Sequence, residues 1–135
     1  MNEKKRLAAE KAVELVQDGM KVGLGTGSTA YFAIEAIGRL VKGGYKIIAV
    51  PTSVASEKQA RELGIPLATL EEAGTLDITI DGADEVDANL DLIKGMGGAL
   101  LREKIVAHST RMEVIVVDDS KIVTKLGTKF PLPVE

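Results

Sequence analysis

The chain contains no cysteine. A disulfide framework, thiolate catalysis and cysteine-based metal sites are therefore excluded. Histidine is nearly as scarce: His108 stands alone and reads as structural, so proton transfer must fall to carboxylates and lysines. No apolar run approaches the ~18 residues of a membrane helix. Nor do lysines and arginines cluster against a net charge of −3, which argues against a nucleic-acid surface. The opening MNEKKRLAAEKAVELV is charged throughout and lacks the apolar core of a secretory signal. These absences predict a soluble cytoplasmic protein with no nucleic-acid partner and no membrane partner. At 135 residues the chain has the size of one ordinary domain and can bury a real core.

What is present alternates between helical and strand patterns. Residues 3–17 read as a helix with Asn2 as N-cap and Ala8, Ala12, Leu15 and Val16 on one face. Strands are expected over residues 21–24, 45–50, 65–68, 76–80 and 113–117, and helices over 29–41, 53–63 and 98–108. Such alternation predicts an α/β fold: an open, mostly parallel sheet with helices on both faces, Rossmann-like in three layers. The polar motifs GTGST, PTS, DGADE and DDSK each follow a strand. Ligand crevices in open α/β sheets lie beyond the carboxyl ends of the strands, so these segments should converge on one site.

Residues 81–103, DGADEVDANLDLIKGMGGALLRE, carry the densest chemistry. Asp81, Asp84, Glu85, Lys94 and Glu103 gather around Gly95, Gly97 and Gly98. Carboxylates and a lysine beside glycine-exposed backbone make a proton-transfer site with anion stabilisation built in. Glu103 shares a helical stripe with Ala99 and Ala107, where close approach by another segment would desolvate it and raise its proton affinity toward that of a general base. The plainer alternative is a surface glutamate paired with a lysine. Asp87 to Asp91 imitates the start of a calcium loop, but Leu92 stands where glycine is required and Gly98 where the bidentate glutamate belongs. A magnesium site on Asp81, Asp84 and Glu85 would face competition from nearby lysines.

The sequence GLGTGSTA offers glycines for close backbone approach and the hydroxyls of Thr26, Ser28 and Thr29 at a helix start, a phosphate cradle. The dinucleotide fingerprint fails, because Ser28 replaces its third glycine and Pro51-Thr52-Ser53 stands where an acidic residue is needed. A P-loop lysine is missing as well. The alternative is a tight strand-to-helix turn with a capping threonine; a mononucleotide-sized or sugar-sized phosphate fits the residues better.

Taken in order, GLGTGSTA, PTS, DGADE, KGMGGALLREKIVA and DDSK closely resemble the ribose-5-phosphate isomerase family of the A type. The resemblance implies isomerisation of ribose 5-phosphate and ribulose 5-phosphate through a cis-enediol in the pentose phosphate pathway, with no metal or organic cofactor. It assigns Glu103 as the base moving a proton between C2 and C1. Asp81 then handles hydroxyl protons and ring opening, Asp84 holds hydroxyls, and Lys94 with the amides of Gly95, Met96 and Gly97 steadies the oxyanion. Thr26, Gly27, Ser28 and Thr29 correspond to the family's substrate loop, Gly82 and Ala83 to its acidic-loop contacts, and Lys121 to its distal lysine; Lys5 adds a contact from the first helix. Family members are longer, so residues 1–130 are expected to be the catalytic domain and 131–135 the start of a link to a further α+β segment. A homo-oligomer, dimer or tetramer, is expected of the full-length protein. A sugar-phosphate-sensing domain and a CoA-transferase-like enzyme of related fold are the competing functional classes.

Overall fold

The computed structural model describes residues 2–82, 85–86, 92–93 and 105–117. Helix α1 spans Asn2–Val13, β1 Lys21–Leu24, α2 Ser28–Lys42, β2 Ile48–Pro51, α3 Val54–Glu62 and α4 Leu70–Ala73. Strand β3 follows at Ile78–Asp81, then β4 at Glu85–Val86, β5 at Leu92–Ile93 and β6 at Glu113–Ile115. Residues 105–108 are also helical. Strands β4 and β5 pair as a short antiparallel ribbon that the sequence pattern did not predict.

The main sheet runs β2-β1-β3-β6, every neighbour parallel. Its two faces sort by the period-two rule of strands. Val22 and Leu24 of β1, Ala49 of β2, and Ile78 and Ile80 of β3 face one core with Ala9, Ala12, Val13, Ala33, Ile34, Ile37 and Ala60 from α1, α2 and α3. The alternate positions look the other way. Val50 joins Ala73 of α4, Leu76 and Val106 in a second cluster, while the bare face of Gly23 meets Thr79 and Val106. Helices thus cover both faces, as alternation predicted. Large side chains such as Leu24, Ile37 and Ile80 are almost wholly buried, each stabilising the fold by roughly 1.5–3 kcal/mol.

Helix α1 anchors to α2 at both ends. The Arg6 guanidinium lies 5.4 Å from the centroid of the Phe32 ring, and Arg39 donates to Glu10 at 3.0 Å. This docking fixes the first turn of α1 over the start of α2.

Several expected boundaries move. The first helix stops at Val13 and finishes in a tight turn, Val16 N–H donating to the Val13 carbonyl at 2.9 Å. Leu15 therefore rotates out to 49% exposure, and Val13 and Ala9 take its place in the core. Asn2 is the first helical residue rather than the cap. The second strand begins at Ile48, not at 45, because Tyr45 N–H closes the end of α2 on Leu40 and Lys46 N–H donates to Asp18. Residues 65–68 make one bridge, Ala49 to Leu67, rather than a strand. That bridge still lies beyond β2, on the side away from β1. Helix α4 was not expected, although Thr69 and Glu72 form its capping box; the hydrogen bonds from Thr69 hold the Glu72 carboxyl below its ordinary pKa. The expected helix over 98–108 is described only from residue 105, with Val106 buried and Ile105 half exposed.

Candidate functional site

From β1 the chain moves outward through α2 to β2, and then returns across the sheet to β3. The strand order therefore reverses between β1 and β3, and a crevice opens where their carboxyl ends diverge. The glycine loop leaves β1 at this place and the acidic loop leaves β3.

The two loops are in direct contact. Gly25 N–H donates to the Ile80 carbonyl at 2.9 Å. A Cβ on Gly25 would lie 2.6 Å from Asp81 Cα, so only glycine lets the backbones approach this closely. Asp81 is 1% exposed. Its Oδ1 accepts from the Gly82 N–H at 2.8 Å and the Thr26 N–H at 3.3 Å, while its carbonyl accepts from Val116 N–H at 2.7 Å. The last contact ties the chain just after β6 to the backbone of Asp81. Gly82 faces the Thr26 carbonyl across 3.8 Å to its would-be Cβ.

Gly27 caps α2 at φ +104° and ψ 177°, a combination nearly confined to glycine. The alternative of a capping threonine does not hold: Ser28 and Thr29 are already helical, and Thr29 is 7% exposed. Gly27 has no side chain to occupy the first-turn amides, so the helix end presents N–H groups and its positive dipole to the crevice. Lys5 of α1 reaches across and donates from Nζ to Ser28 Oγ at 2.9 Å. An ammonium, a hydroxyl and a helix N-terminus thus share one spot. That is suited to an anion.

A cleft of about 620 Å³ opens from this loop between α2 and α3, where Tyr31, Ile34, Ser56, Lys58, Gln59 and Glu62 continue its wall. The Tyr31 phenol is held above its ordinary pKa by its hydrogen bond to the Glu35 carboxylate. Thr52 and Ser53, singled out only as a loop after β2, contact Thr26 directly. Their place after a strand end was a signal for the site, but nothing in the spacing disclosed their partner.

Of the residues expected at the site, Thr26, Gly27, Ser28, Thr29, Asp81, Gly82 and Lys5 come together at the switch point. Ala83, Asp84, Lys94, Gly95, Met96, Gly97, Glu103 and Lys121 lie outside the described residues, as does the expected link over 131–135. Asp81 and Glu85 stand on β3 and β4. No helix among the described residues is long and apolar enough to cross a membrane.

An open parallel sheet with polar loops meeting at its switch point defines an α/β domain of the doubly wound class, in which small ligands bind at that place. Comparison with known proteins narrows the class: the chain belongs to the ribose 5-phosphate isomerase A (phosphoriboisomerase A) family, matching it over residues 48–135. It is 61% identical over 133 residues to ribose-5-phosphate isomerase A of Desulfatibacillum aliphaticivorans, a match covering 97% of this chain and 58% of that protein. The ribose 5-phosphate isomerase structure from Plasmodium falciparum superposes with a TM-score of 0.92 at 50% identity, over 96% of this chain and 57% of that one. A D-ribose-5-phosphate isomerase in complex with phospho-erythronic acid gives a TM-score of 0.91 at 43% identity, over 94% and 56% of the two chains. The chain thus spans a little over half the length of these relatives.

Proposed function

We propose that the protein is an aldose–ketose isomerase that interconverts ribose 5-phosphate and ribulose 5-phosphate. The observation that carries the reading is the junction at the switch point: the loop of Thr26 to Ser28 rests on buried Asp81 through the glycine at position 25. Membership of the isomerase family supports it, and so does the phosphorylated sugar acid named with one relative's structure. In this reading the phosphate sits on the α2 N-terminus, held by Ser28, Thr29, Lys5 and Lys121. Glu103 removes the proton from C2 and returns it to C1, while a hydroxyl proton moves between O1 and O2 with Asp81 as carrier. Asp84 and the backbone at Gly82 and Ala83 hold sugar hydroxyls, and Lys94 with Gly95, Met96 and Gly97 stabilises the enediolate oxygen. The hydrogen stays within the substrate and no electrons leave it. The reaction therefore calls for no nicotinamide, and Lys94 with the nearby amides takes the charge-stabilising part that a metal would otherwise play. The whole gene product is proposed to work as a homo-oligomer in the cytoplasm, in the pentose phosphate pathway.

The phosphate half of this reading is tested on the 135-residue chain itself. A ligand that binds only the folded state stabilises it by RT ln(1 + [L]/Kd), about 2.7 kcal/mol at a hundredfold excess over Kd. Ribose 5-phosphate is expected to raise the melting temperature clearly, and unphosphorylated ribose at equal concentration to leave it nearly unmoved. Replacing Ser28 and Thr29 by alanine should remove most of that difference. Equal stabilisation by both sugars would show that the loop does not read phosphate. The chemical half is tested by chelation: isomerase activity of the whole gene product is expected to survive exhaustive treatment with EDTA. Loss restored by magnesium would turn Asp81 and Asp84 into metal ligands.

A further inference from the structure

Thr52 and Ser53, just after β2, take no part in the chemistry as proposed. Thr52 is fully buried, yet its N–H and its hydroxyl are both directed at the glycine loop and the strand that bears it. Its N–H and its hydroxyl both donate to the Leu24 carbonyl, at 3.1 and 2.7 Å. Its Oγ1 also stands 3.0 Å from Thr26 Oγ1, and Thr26 donates to Ser53 Oγ at 3.0 Å. Ser53 in turn donates to Ser56 Oγ at 3.1 Å, and Ser56 donates to the Ser53 carbonyl at 3.2 Å.

Each hydroxyl has one proton, so the direction of the network can be followed. The Thr52 proton is committed to Leu24, the Ser53 proton to Ser56 and the Ser56 proton to the Ser53 carbonyl. Thr52 and Ser53 can then only accept, and the single Thr26 proton goes to one or the other of them. Thr26 therefore has no hydroxyl proton left for a substrate anion. Its side chain is a strut, and Ser28, whose hydroxyl accepts from Lys5 and so keeps its own proton, is a loop hydroxyl able to donate.

We infer that Thr52 and Ser53 are positioning residues: through the Thr26 hydroxyl they hold the glycine loop at the height where the α2 amides and Ser28 meet the substrate's phosphate. The inference rests on the isomerase reading. The phosphate is remote from the carbons that react, so a loop that wavers weakens ground state and transition state alike. Such a loss of uniform binding appears in KM and spares kcat.

The test compares Thr52→Val, Thr52→Ser and Ser53→Gly in the whole gene product, with ribose 5-phosphate as substrate. Valine keeps the branched shape, and the backbone bond from residue 52 to Leu24 remains, so the fold has no reason to fail. Glycine at position 53 remains an acceptable N-cap for α3 while removing the hydroxyl. Thr52→Val and Ser53→Gly are each expected to raise KM by roughly 5- to 100-fold, as the loss of a buried partner predicts, with kcat within about threefold of the unsubstituted enzyme. Thr52→Ser should restore KM. Should Thr52→Val not fold, Ser53→Gly carries the same comparison. An unchanged KM in the folded variants, or a fall in kcat alone, would overturn the positioning role. An unsubstituted protein that neither isomerises ribose 5-phosphate nor is stabilised by it would overturn the functional reading, and this role with it.

Discussion

Glu103→Gln is expected to lower turnover of the whole gene product by ~10²–10⁴-fold, the range a positioned general base contributes. The amide keeps the size of the carboxylate and can still hydrogen-bond, so KM for ribose 5-phosphate should stay close to its original value. What it loses is the lone-pair basicity needed to lift a proton from carbon. With no cysteine and a single histidine, exposed at the end of its helix, the chain has few other groups to take over that step. Initial-rate measurement of ketose formation, with binding followed separately by thermal shift, checks both halves. Near-normal turnover would remove Glu103 from the mechanism. Normal binding without any isomerisation even in the unsubstituted protein would favour a sugar-phosphate sensor instead.

The sequence made the strands legible where local and global signals agreed. Residues 21–24 form β1 with the expected bounds, because an Asp-Gly turn precedes them and glycines follow. The β3 pattern reads in part. Its four residues are all buried, but the strand spans Ile78–Asp81 rather than 76–80, because Leu76 N–H donates to Ser109 and makes only an isolated bridge with Thr110. Strand β6 likewise stops at Ile115 rather than 117. Failures came where hydrogen bonds from distant residues decided the outcome. Tyr45 and Lys46 suit a strand by composition, yet the end of α2 and the turn at Asp18 claim their amides. Residues 65–68 have the composition of a strand but less order, since Pro66 has no N–H and only one bridge forms. By contrast, Thr69-Leu70-Glu71-Glu72 carries a visible capping-box signature and α4 was within reach of the sequence. For the site, the placement of motifs after strands was enough to foresee that GTGST and DGADE would meet. The hydroxyl chain joining Thr26 to Thr52 and Ser53 was not. Residues 26 positions apart give no periodic signal, and their pairing follows only from β2 lying beside β1.

The meeting of those two loops makes Gly25 the position where one added methyl group should do most harm. An alanine Cβ there would stand 2.6 Å from Asp81 Cα and 2.7 Å from Asp81 Cγ, against ordinary contacts of 3.4–4 Å. The Asp81 backbone has little room to yield, since it is fixed on one side by β1 and on the other by Val116. Strand β1 and strand β3 must therefore part by about 1 Å at their carboxyl ends, in an interior that is already close-packed. Overpacking of this kind typically costs about 1–3 kcal/mol, readable as a lower denaturation midpoint. The separation also draws Asp81 Oδ1 from the Thr26 amide, whose bond is already long at 3.3 Å. Misplacement by about 1 Å can lower a rate by ~10²-fold, so Gly25→Ala is expected to depress turnover and stability together. Gly27→Ala should behave differently. No atom lies within 4 Å of its would-be Cβ, and its cost is backbone strain of about 1–3 kcal/mol at a positive φ, which acts on the α2 cap and hence on phosphate affinity. The pair separates a need for space from a need for conformation: KM should rise most in Gly27→Ala, and kcat should fall most in Gly25→Ala. Unchanged stability and turnover in Gly25→Ala would mean that the switch point yields freely, and that the contact between the loops does not set the geometry of the site.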